Sequence, residues 1–404
     1  MMSESPKYLF LGGLFPHETE KQILENSIGS IQNAANAFQW NLIHGFDQTL
    51  DKPIKILNSL YVGSYPKRYR NLFIKSYEFH HTEGADDLNV GFCNLTGYKN
   101  ISRRRTLGKQ VEKWVKDNKG PKYIFAYAMT STMINALNIA KKIDPDAITC
   151  LIVPDLPQYM NMGKRSPIFK LLKKFDMKDQ RTKFAGIDAF VFLTKQMNNY
   201  IGTKNFLVIE GIANDLFKEL TPLPRFEKTV LYTGGLNEKY GVKNLIDAFT
   251  QIEDSEYKLI LCGSGDLEPY INELKKIDGR IDFRGTVQHD EILSLQMQAT
   301  VLVNPRQNIE AFTQYSFPSK NLEYLASGTP VVAYKLDGIP DEYDDYFVYV
   351  NDNSVEALKN KIVEVCSLPV FEREMIGEKA HNFVLNEKSS KKQVEKLLDF
   401  VHSI

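Results

Sequence analysis

The stretch SFPSKNLEYLASGTPVV, residues 316–332, places a lysine where a helix should resist one. Pro318 suits the first helical position, because its missing N–H costs nothing there. Leu322, Leu325 and Ala326 form an apolar face, Gly328 suits a left-handed C-terminal cap, and Pro330 prevents continuation. Lys320 then falls in the first turn, at the positive end of the helix dipole. Alone, Lys320 and Glu323 read as an i, i+3 surface pair worth ~0.3 kcal/mol. That reading leaves out Arg306, which arrives from the strand end TVLVNPR. An anion held by Arg306, Lys320 and the backbone N–H groups of Ser319, Lys320 and Asn321 accounts for both cations.

Other strand-end loops carry small or ionisable residues. Gly12-Gly13 follows the first strand and serves equally as a tight turn or a ligand loop; no GxGxxG pattern accompanies it. Gly234-Gly235-Leu236-Asn237, followed by Lys239-Tyr240-Gly241, and Gly263-Ser264-Gly265-Asp266 each open a helix. Two such loops in one domain fit phosphate and nucleotide binding better than either does alone. Asp155, in VPDLPQYM, could orient a sugar hydroxyl or act as a base. Taken on its own, an Asx turn ahead of Pro157 accounts for it slightly better. His17 reads as a cap or surface residue. Residues 164–183 hold eight basic side chains against two acidic ones with apolar residues interleaved. The segment is either an ordinary amphipathic helix or a contact for an anionic membrane surface, to which Arg103-Arg104-Arg105 would add.

The elements that must position these residues alternate along nearly all 404 residues. Apolar runs at 7–13, 53–63, 122–129, 147–155, 189–194, 205–211, 229–235, 257–263, 281–285, 300–306, 330–334 and 347–350 read as strands. Helical stretches such as TSTMINALNIAKKI separate them. This predicts parallel sheets covered on both faces, in two doubly wound α/β domains with ligands at the strand C-terminal ends. Residues 1–212 form the first expected domain, 213–228 a linker with two prolines, 229–385 the second, and 386–404 a helix packing back toward the first. The 50 basic and 50 acidic residues cancel, which excludes a general nucleic-acid field. Cys93, Cys150, Cys262 and Cys366 form no CxxC pair, so free thiols in a reducing compartment are expected and a metal site is not. With no signal-peptide pattern and no run of ~18 apolar residues, a cytoplasmic protein is expected, peripheral to the inner membrane face if 164–183 touches it.

GGLNEKYGVKNLIDAF, LILCGSGD, IDFRGTV and FPSKNLEYLASGTPVVAYKLDGIPDEY follow, in order, the C-terminal half of family 4 glycosyltransferases (GT4). The chain resembles a GT-B enzyme of the bacterial surface-polysaccharide type, with two Rossmann-like domains facing a central cleft. The motifs span residues 229–345, and the N-terminal half matches in its strand–helix plan and Gly12-Gly13 loop. The resemblance implies a retaining, metal-independent transferase with no cofactor, using a nucleotide-sugar donor (a UDP-sugar favoured) and a lipid-linked or growing surface glycan as acceptor. It gives Lys320 and Arg306 the diphosphate, Glu323 the ribose hydroxyls, and Arg284, Gly285 and Val287 the base.

The chain departs from the family pattern at three points. Gly235 replaces the phosphate arginine, Tyr240 the lysine before Gly241, and Tyr315 the first glutamate of E-x7-E, for which Glu310 or Thr313 could substitute. Asp155 aligns with the family's His-Asp pair, with Pro154 in the histidine position. A nucleotide-sugar epimerase on the same fold, or a nucleotide-binding partner subunit without turnover, are the competing expectations.

Overall fold

The computed structural model describes residues 4–29, 31–156, 184–213, 217, 220, 223–309 and 313–404. The basic segment 164–183 and Glu310 lie outside the described residues. The chain divides into two units, Met1–Glu210 with Ser390–Ile404, and Gly211–Ser389.

In the first unit, β1 (Lys7–Gly12), β2 (Lys55–Asn58), β4 (Tyr77–Phe79), β5 (Asp87–Asn89), β7 (Lys122–Tyr127), β8 (Ile148–Val153), β9 (Ala189–Phe192) and β10 (Phe206–Val208) form one sheet. Its order is β10-β9-β8-β7-β1-β2-β5-β4, parallel except for β4. Helices α1 (Glu20–Asn26), α2 (Asn33–Thr49), α3 (Lys99–Asp117) and α4 (Ser131–Ile143) belong to the same unit. Apart from Lys122 and Thr149, the buried residues of β1, β7, β8 and β9 are apolar on both sides, as a sheet covered on both faces requires. The terminal helix, Ser390–His402, joins this unit: Val394, Leu397, Leu398 and Val401 are buried, and His402 Nε2 lies 3.1 Å from the Tyr8 hydroxyl.

The antiparallel β4 and the small ladder of β3 (Phe73–Ile74) and β6 (Phe92–Cys93) are absent from the expected strand set. Runs of two or three residues have no usable period, so only tertiary pairing makes them strands. The connection between β4 and β5 is held by buried polar groups. Asp87 is fully buried; its Oδ1 accepts from the Ile56 N–H at 2.9 Å and its Oδ2 from the His81 N–H at 3.0 Å. His81 Nδ1 lies 2.6 Å from Asp87 Oδ2, and its Nε2 lies 3.1 Å from Asp47 Oδ1 on α2.

The second unit is an all-parallel sheet in the order β13-β12-β11-β14-β15-β16. Its strands are β11 (Thr229–Thr233), β12 (Lys258–Cys262), β13 (Ile281–Gly285), β14 (Val301–Asn304), β15 (Val331–Ala333) and β16 (Val348–Tyr349). Its helices include α5 (Val242–Thr250), α6 (Glu268–Ile277), α7 (His289–Gln298) and α8 (Lys320–Ala326). Alternation along β11 feeds two cores: Val230 and Tyr232 join one with α5, and Leu231 joins the other with Leu322 and Leu325 of α8.

The stretch read as a linker belongs, where described, to this unit. Phe217 is buried in its core, and Arg225 donates to Thr329 Oγ1 at 2.5 Å and to the Gly328 carbonyl at 2.6 Å. Proline and mixed charge do not distinguish a flexible linker from a strap that caps a helix end. No described helix is long and apolar enough to cross a membrane.

Burial alone would lower the His81 pKa, but its hydrogen bonds to Asp47 and Asp87 outweigh that and raise it to about 9. A pKa raised on folding gives stability that is fully present below about 6.5 and lost as pH rises through about 9. Both tryptophans, Trp40 and Trp114, lie in the first unit, so their fluorescence in urea follows it alone. We expect its stability to fall by roughly 2–3 kcal/mol between pH 6.5 and 9.5, and His81→Leu to flatten that dependence.

Candidate active site

The first residue of α8, Lys320, reaches back beneath the turn that follows β11. Its Nζ donates to the Tyr232 hydroxyl at 2.7 Å and lies 4.0 Å from the Tyr232 ring centre. The hydroxyl donates in turn to the Gly235 carbonyl at 2.9 Å. A Cβ on Gly234 would stand 2.6 Å from Lys320 Nζ, so glycine at 234 is what admits the lysine. Burial, first, and then the Arg306 charge lower the Lys320 pKa to about 7, against a smaller opposing effect of Glu323. Lys320 is half-buried, at the positive end of a helix, and faces a second cation.

Arg306 leaves the end of β14, donates to Ser316 Oγ at 3.0 Å, and holds its guanidinium carbon 5.7 Å from the Tyr240 ring centre. Burial lowers its pKa, while Tyr240 and Tyr232 pull the other way. Tyr240, in the position where the family pattern has lysine, therefore supports the arginine that approaches from another strand. Gly241 adopts φ +76 against Pro305, whose carbonyl would lie 1.9 Å from any Cβ at 241.

Glu323 is oriented from below. Gln296, fully buried on α7, donates its amide to Glu323 Oε1 at 2.5 Å and to Thr233 Oγ1 at 3.2 Å. The Thr233 N–H donates to the Tyr324 hydroxyl at 2.8 Å. Strand β11, α7 and α8 thus share one buried polar network, and such networks rigidify what they hold.

The helix start differs from expectation. α8 begins at Lys320 with Ser319 as cap, so Pro318 precedes the helix. The Asn321 N–H donates to the Pro318 carbonyl at 2.9 Å, which removes it from the expected anion-binding set. Its side chain is fully buried, with Oδ1 accepting from Asn304 Nδ2 at 2.5 Å. The exposed Ser319 makes no side-chain cap bond.

The glycine loops interlock. The N–H of Gly234 donates to the Cys262 carbonyl at 2.9 Å and that of Gly263 to the Gly285 carbonyl at 2.7 Å, so the ends of β11, β12 and β13 share a surface. Gly263 has φ +134, and a Cβ there would stand 1.8 Å from the Gly234 carbonyl oxygen. Gly265 meets the Leu236 carbonyl in the same way, at 2.2 Å. These glycines let one loop lie on the next, independently of any ligand. Gly235 admits the Tyr240 ring at 3.2 Å, and the Asn237 carbonyl accepts from the Tyr240 N–H at 3.0 Å without any side-chain cap bond. Arg284 is exposed and engaged with Asp282 at 2.9 Å and Glu291 at 3.4 Å; Val287 is half-buried against the core.

Two predicted positions fall in the first unit. Gly12 and Gly13 are buried: the Tyr61 ring lies 2.3 Å from where a Gly13 Cβ would be, and Gln39 Oε1 accepts from the Gly13 N–H at 2.8 Å. They anchor Tyr61 and do not line the unit's cavity. Asp155 does line that cavity, of about 240 Å³, with Tyr61, Lys99, Arg103 and Tyr127. The surrounding wall desolvates its carboxyl and raises its pKa to about 6. Tyr232, Gln296 and Lys99 escaped sequence reading. Tyr232 and Gln296 sit in patterns that read as core, whereas Lys99 and Arg103, four apart at a helix start, repeat the awkward-cation signal of Lys320. Among the described residues no group of three His, Cys, Asp or Glu could hold a metal ion.

Residues 215–397 match the family model described as "Glycosyl transferases group 1". The curated protein "Uncharacterized glycosyltransferase MJ1607" of Methanocaldococcus jannaschii is 32% identical over 117 residues, 28% of this chain and 28% of that protein. The aligned part is therefore well under two thirds of that relative's length. A sucrose-phosphate synthase from Thermosynechococcus elongatus superposes at TM-score 0.63 with 16% identity, over 99% of this chain and 100% of that one. The Anabaena protein HepE in complex with UDP superposes at 0.60 with 14% identity, over 98% and 100%. The fold is thus the GT-B fold of glycosyltransferases. The stretch matched by the family model, 215–397, spans most of the second unit.

Gly263→Ala is expected to destabilise the protein by more than about 2 kcal/mol, because left-handed strain and overlap with the Gly234 carbonyl act together. Gly285→Ala, at φ +65 with open space around it, carries the strain alone and should cost about 1 kcal/mol. Denaturant midpoints of the two variants check this; equal midpoints would contradict the interlocked-loop reading.

Proposed function

We propose that the protein transfers a sugar from a nucleotide-sugar donor, a UDP-sugar favoured, to a lipid-linked or growing bacterial surface glycan in the cytoplasm. Transfer proceeds with retention at the anomeric carbon and without a metal ion. The carrying observation is Lys320, held by Tyr232 at a helix start with Arg306 facing it and a depressed pKa. A diphosphate between these two cations relieves their repulsion, and its departure is the charge-developing event that a preorganised cationic site stabilises. Arg306, supported by Tyr240, takes the part that the missing arginine and lysine leave open at 235 and 240.

The acceptor hydroxyl attacks the anomeric carbon on the face from which the nucleoside diphosphate leaves, and its proton passes to the departing phosphate. Glu323, fixed by Gln296, is placed to accept from the ribose hydroxyls. The UDP named in the HepE structure supports the choice of base, and the group 1 match supports the reaction class. A structure similar to this chain at 15% identity and TM-score 0.62, titled lipopolysaccharide outer core galactosyltransferase WaaB, supports a surface-glycan acceptor. The same reading makes 164–183 a contact for an anionic membrane surface.

A transfer assay across UDP-, GDP- and dTDP-sugars tests this reading. Lys320→Ala should lower transfer more than tenfold, about 1.4 kcal/mol or more, and unchanged activity would exclude the anion clamp. UDP affinity should also fall as pH rises from 7 to 9, because the free protein's Lys320 loses its proton above about 7. UDP keeps its full charge over that range, its last phosphate proton leaving near pH ~6. Lys320→Arg, permanently charged, should bind UDP with little pH dependence by calorimetry.

A further inference from the structure

The first unit contains a second pair of cations that the proposed donor site does not use. Lys99 is the first residue of the 19-residue α3, whose first turn carries no acidic residue and no side-chain cap. Arg103 follows one turn later on the same face. Arg103 is only 5% exposed; its Nε donates to Ser59 Oγ at 2.9 Å and its Nη2 to the Ser59 carbonyl at 2.6 Å. Its guanidinium carbon stands 5.0 Å from the Tyr61 ring centre and 5.4 Å from that of Phe92. Lys99 Nζ donates to the Val62 carbonyl. Among the described residues neither is ion-paired with a carboxylate, and all these acceptors are neutral.

Hydrogen bonds to the Ser59 hydroxyl and to two carbonyls engage some of their N–H groups but leave the charges uncompensated. Two like charges at the positive end of a helix oppose each other and the dipole. Burial and the neighbouring Arg103 lower the Lys99 pKa to about 7, the same two causes in the same order as for Lys320 and Arg306. For packing alone, a methionine or leucine would serve better than a buried cation. Both side chains line the cavity of about 240 Å³, with Arg68 also on its wall. That volume is below the usual range for a whole drug-sized ligand, so the cavity takes one end of a larger one. Asp155 lines it too, but its charge acts on Tyr127 and it forms no ion pair with Lys99 or Arg103.

We propose that this cavity is a binding site for a phosphate group carried by the acceptor, with Lys99 and Arg103 holding the phosphate oxygens and Asp155 accepting from a hydroxyl of the attached sugar. The acceptor class is therefore a phosphate-bearing sugar, and this assignment to the acceptor rests on the transferase reading above. Phosphate binding itself does not rest on it. The lysine at the helix start and the arginine beside it build in the first unit the same kind of oxyanion clamp that Lys320 and Arg306 build in the second.

Calorimetric titration of inorganic phosphate into the full chain saturated with UDP tests the site. The parent and Lys320→Ala, the latter without UDP, should each show saturable binding. Lys99→Gln, which keeps a donor for the Val62 carbonyl but loses the charge, should weaken phosphate at least tenfold while its melting temperature does not fall and its UDP affinity stays within error. Arg103→Lys should bind with intermediate affinity, which a merely structural arginine would not show. Equal phosphate affinity in the parent and Lys99→Gln, or loss of binding only in Lys320→Ala, overturns the proposal. Displacement of phosphate by a soluble sugar phosphate, or by vesicles bearing a lipid-linked sugar phosphate, supports the acceptor assignment and names the carrier; displacement by neither overturns it. Absence of transfer with any donor, combined with intact phosphate binding, would fail the transferase reading and leave the site standing.

Discussion

One aromatic ring organises the second unit. Tyr232 is fully buried, yet its hydroxyl is the meeting point of a strand, a glycine turn and a helix. It accepts from Lys320 at 2.7 Å and donates to the Gly235 carbonyl at 2.9 Å. The ring face offers the ammonium a cation–π contact at 4.0 Å. A lysine cannot be left half-buried near an arginine without such partners, because desolvation and repulsion both favour its neutral form. Tyr232 keeps the lysine in place through its hydroxyl and its ring face.

The rest of the unit is arranged so that this contact can exist. Gly234 clears the space for the ammonium, and Gly263 lets the next loop lie against Gly234. Gly241 allows the loop bearing Tyr240 to close on Pro305, which brings the Tyr240 ring to Arg306. The buried Gln296 fixes Glu323, three residues along α8 from Lys320. These are close backbone approaches and hydrogen bonds between elements far apart in sequence. They explain why three departures from the family pattern can coexist with a coherent cationic site: Tyr240 now braces an arginine that comes from a different strand.

The two units solve a similar electrostatic problem with different parts. In each, a lysine at the first residue of a helix sits beside an arginine, and in each the lysine pKa is brought to about 7 by burial and then by the arginine. In the second unit a tyrosine hydroxyl receives the ammonium; in the first, a backbone carbonyl does. His81 shows the opposite arrangement, a buried base between two carboxylates that holds its proton. The contrast is between a base whose proton two carboxylates hold in place and two lysines whose protons burial and a neighbouring arginine loosen.

Period and punctuation in the sequence determined a great deal. Alternating apolar runs and helices specify two parallel sheets, Gly328 ends the Lys320 helix with φ +71, and the awkward position of Lys320 is legible from Pro318 and the apolar face alone. Such features are local, and local sterics and dipoles set them. Tertiary structure decided what those residues meet: that Arg225 caps a helix end, that short segments between residues 73 and 93 pair as strands, and that the Asn321 N–H turns to Pro318. It also turned Arg103 inward to join Lys99 in a cavity, although the sequence reads it as part of a basic surface run. Whether a cation lies in water or in a pocket depends on which other segments fold over it, and no local pattern carries that information.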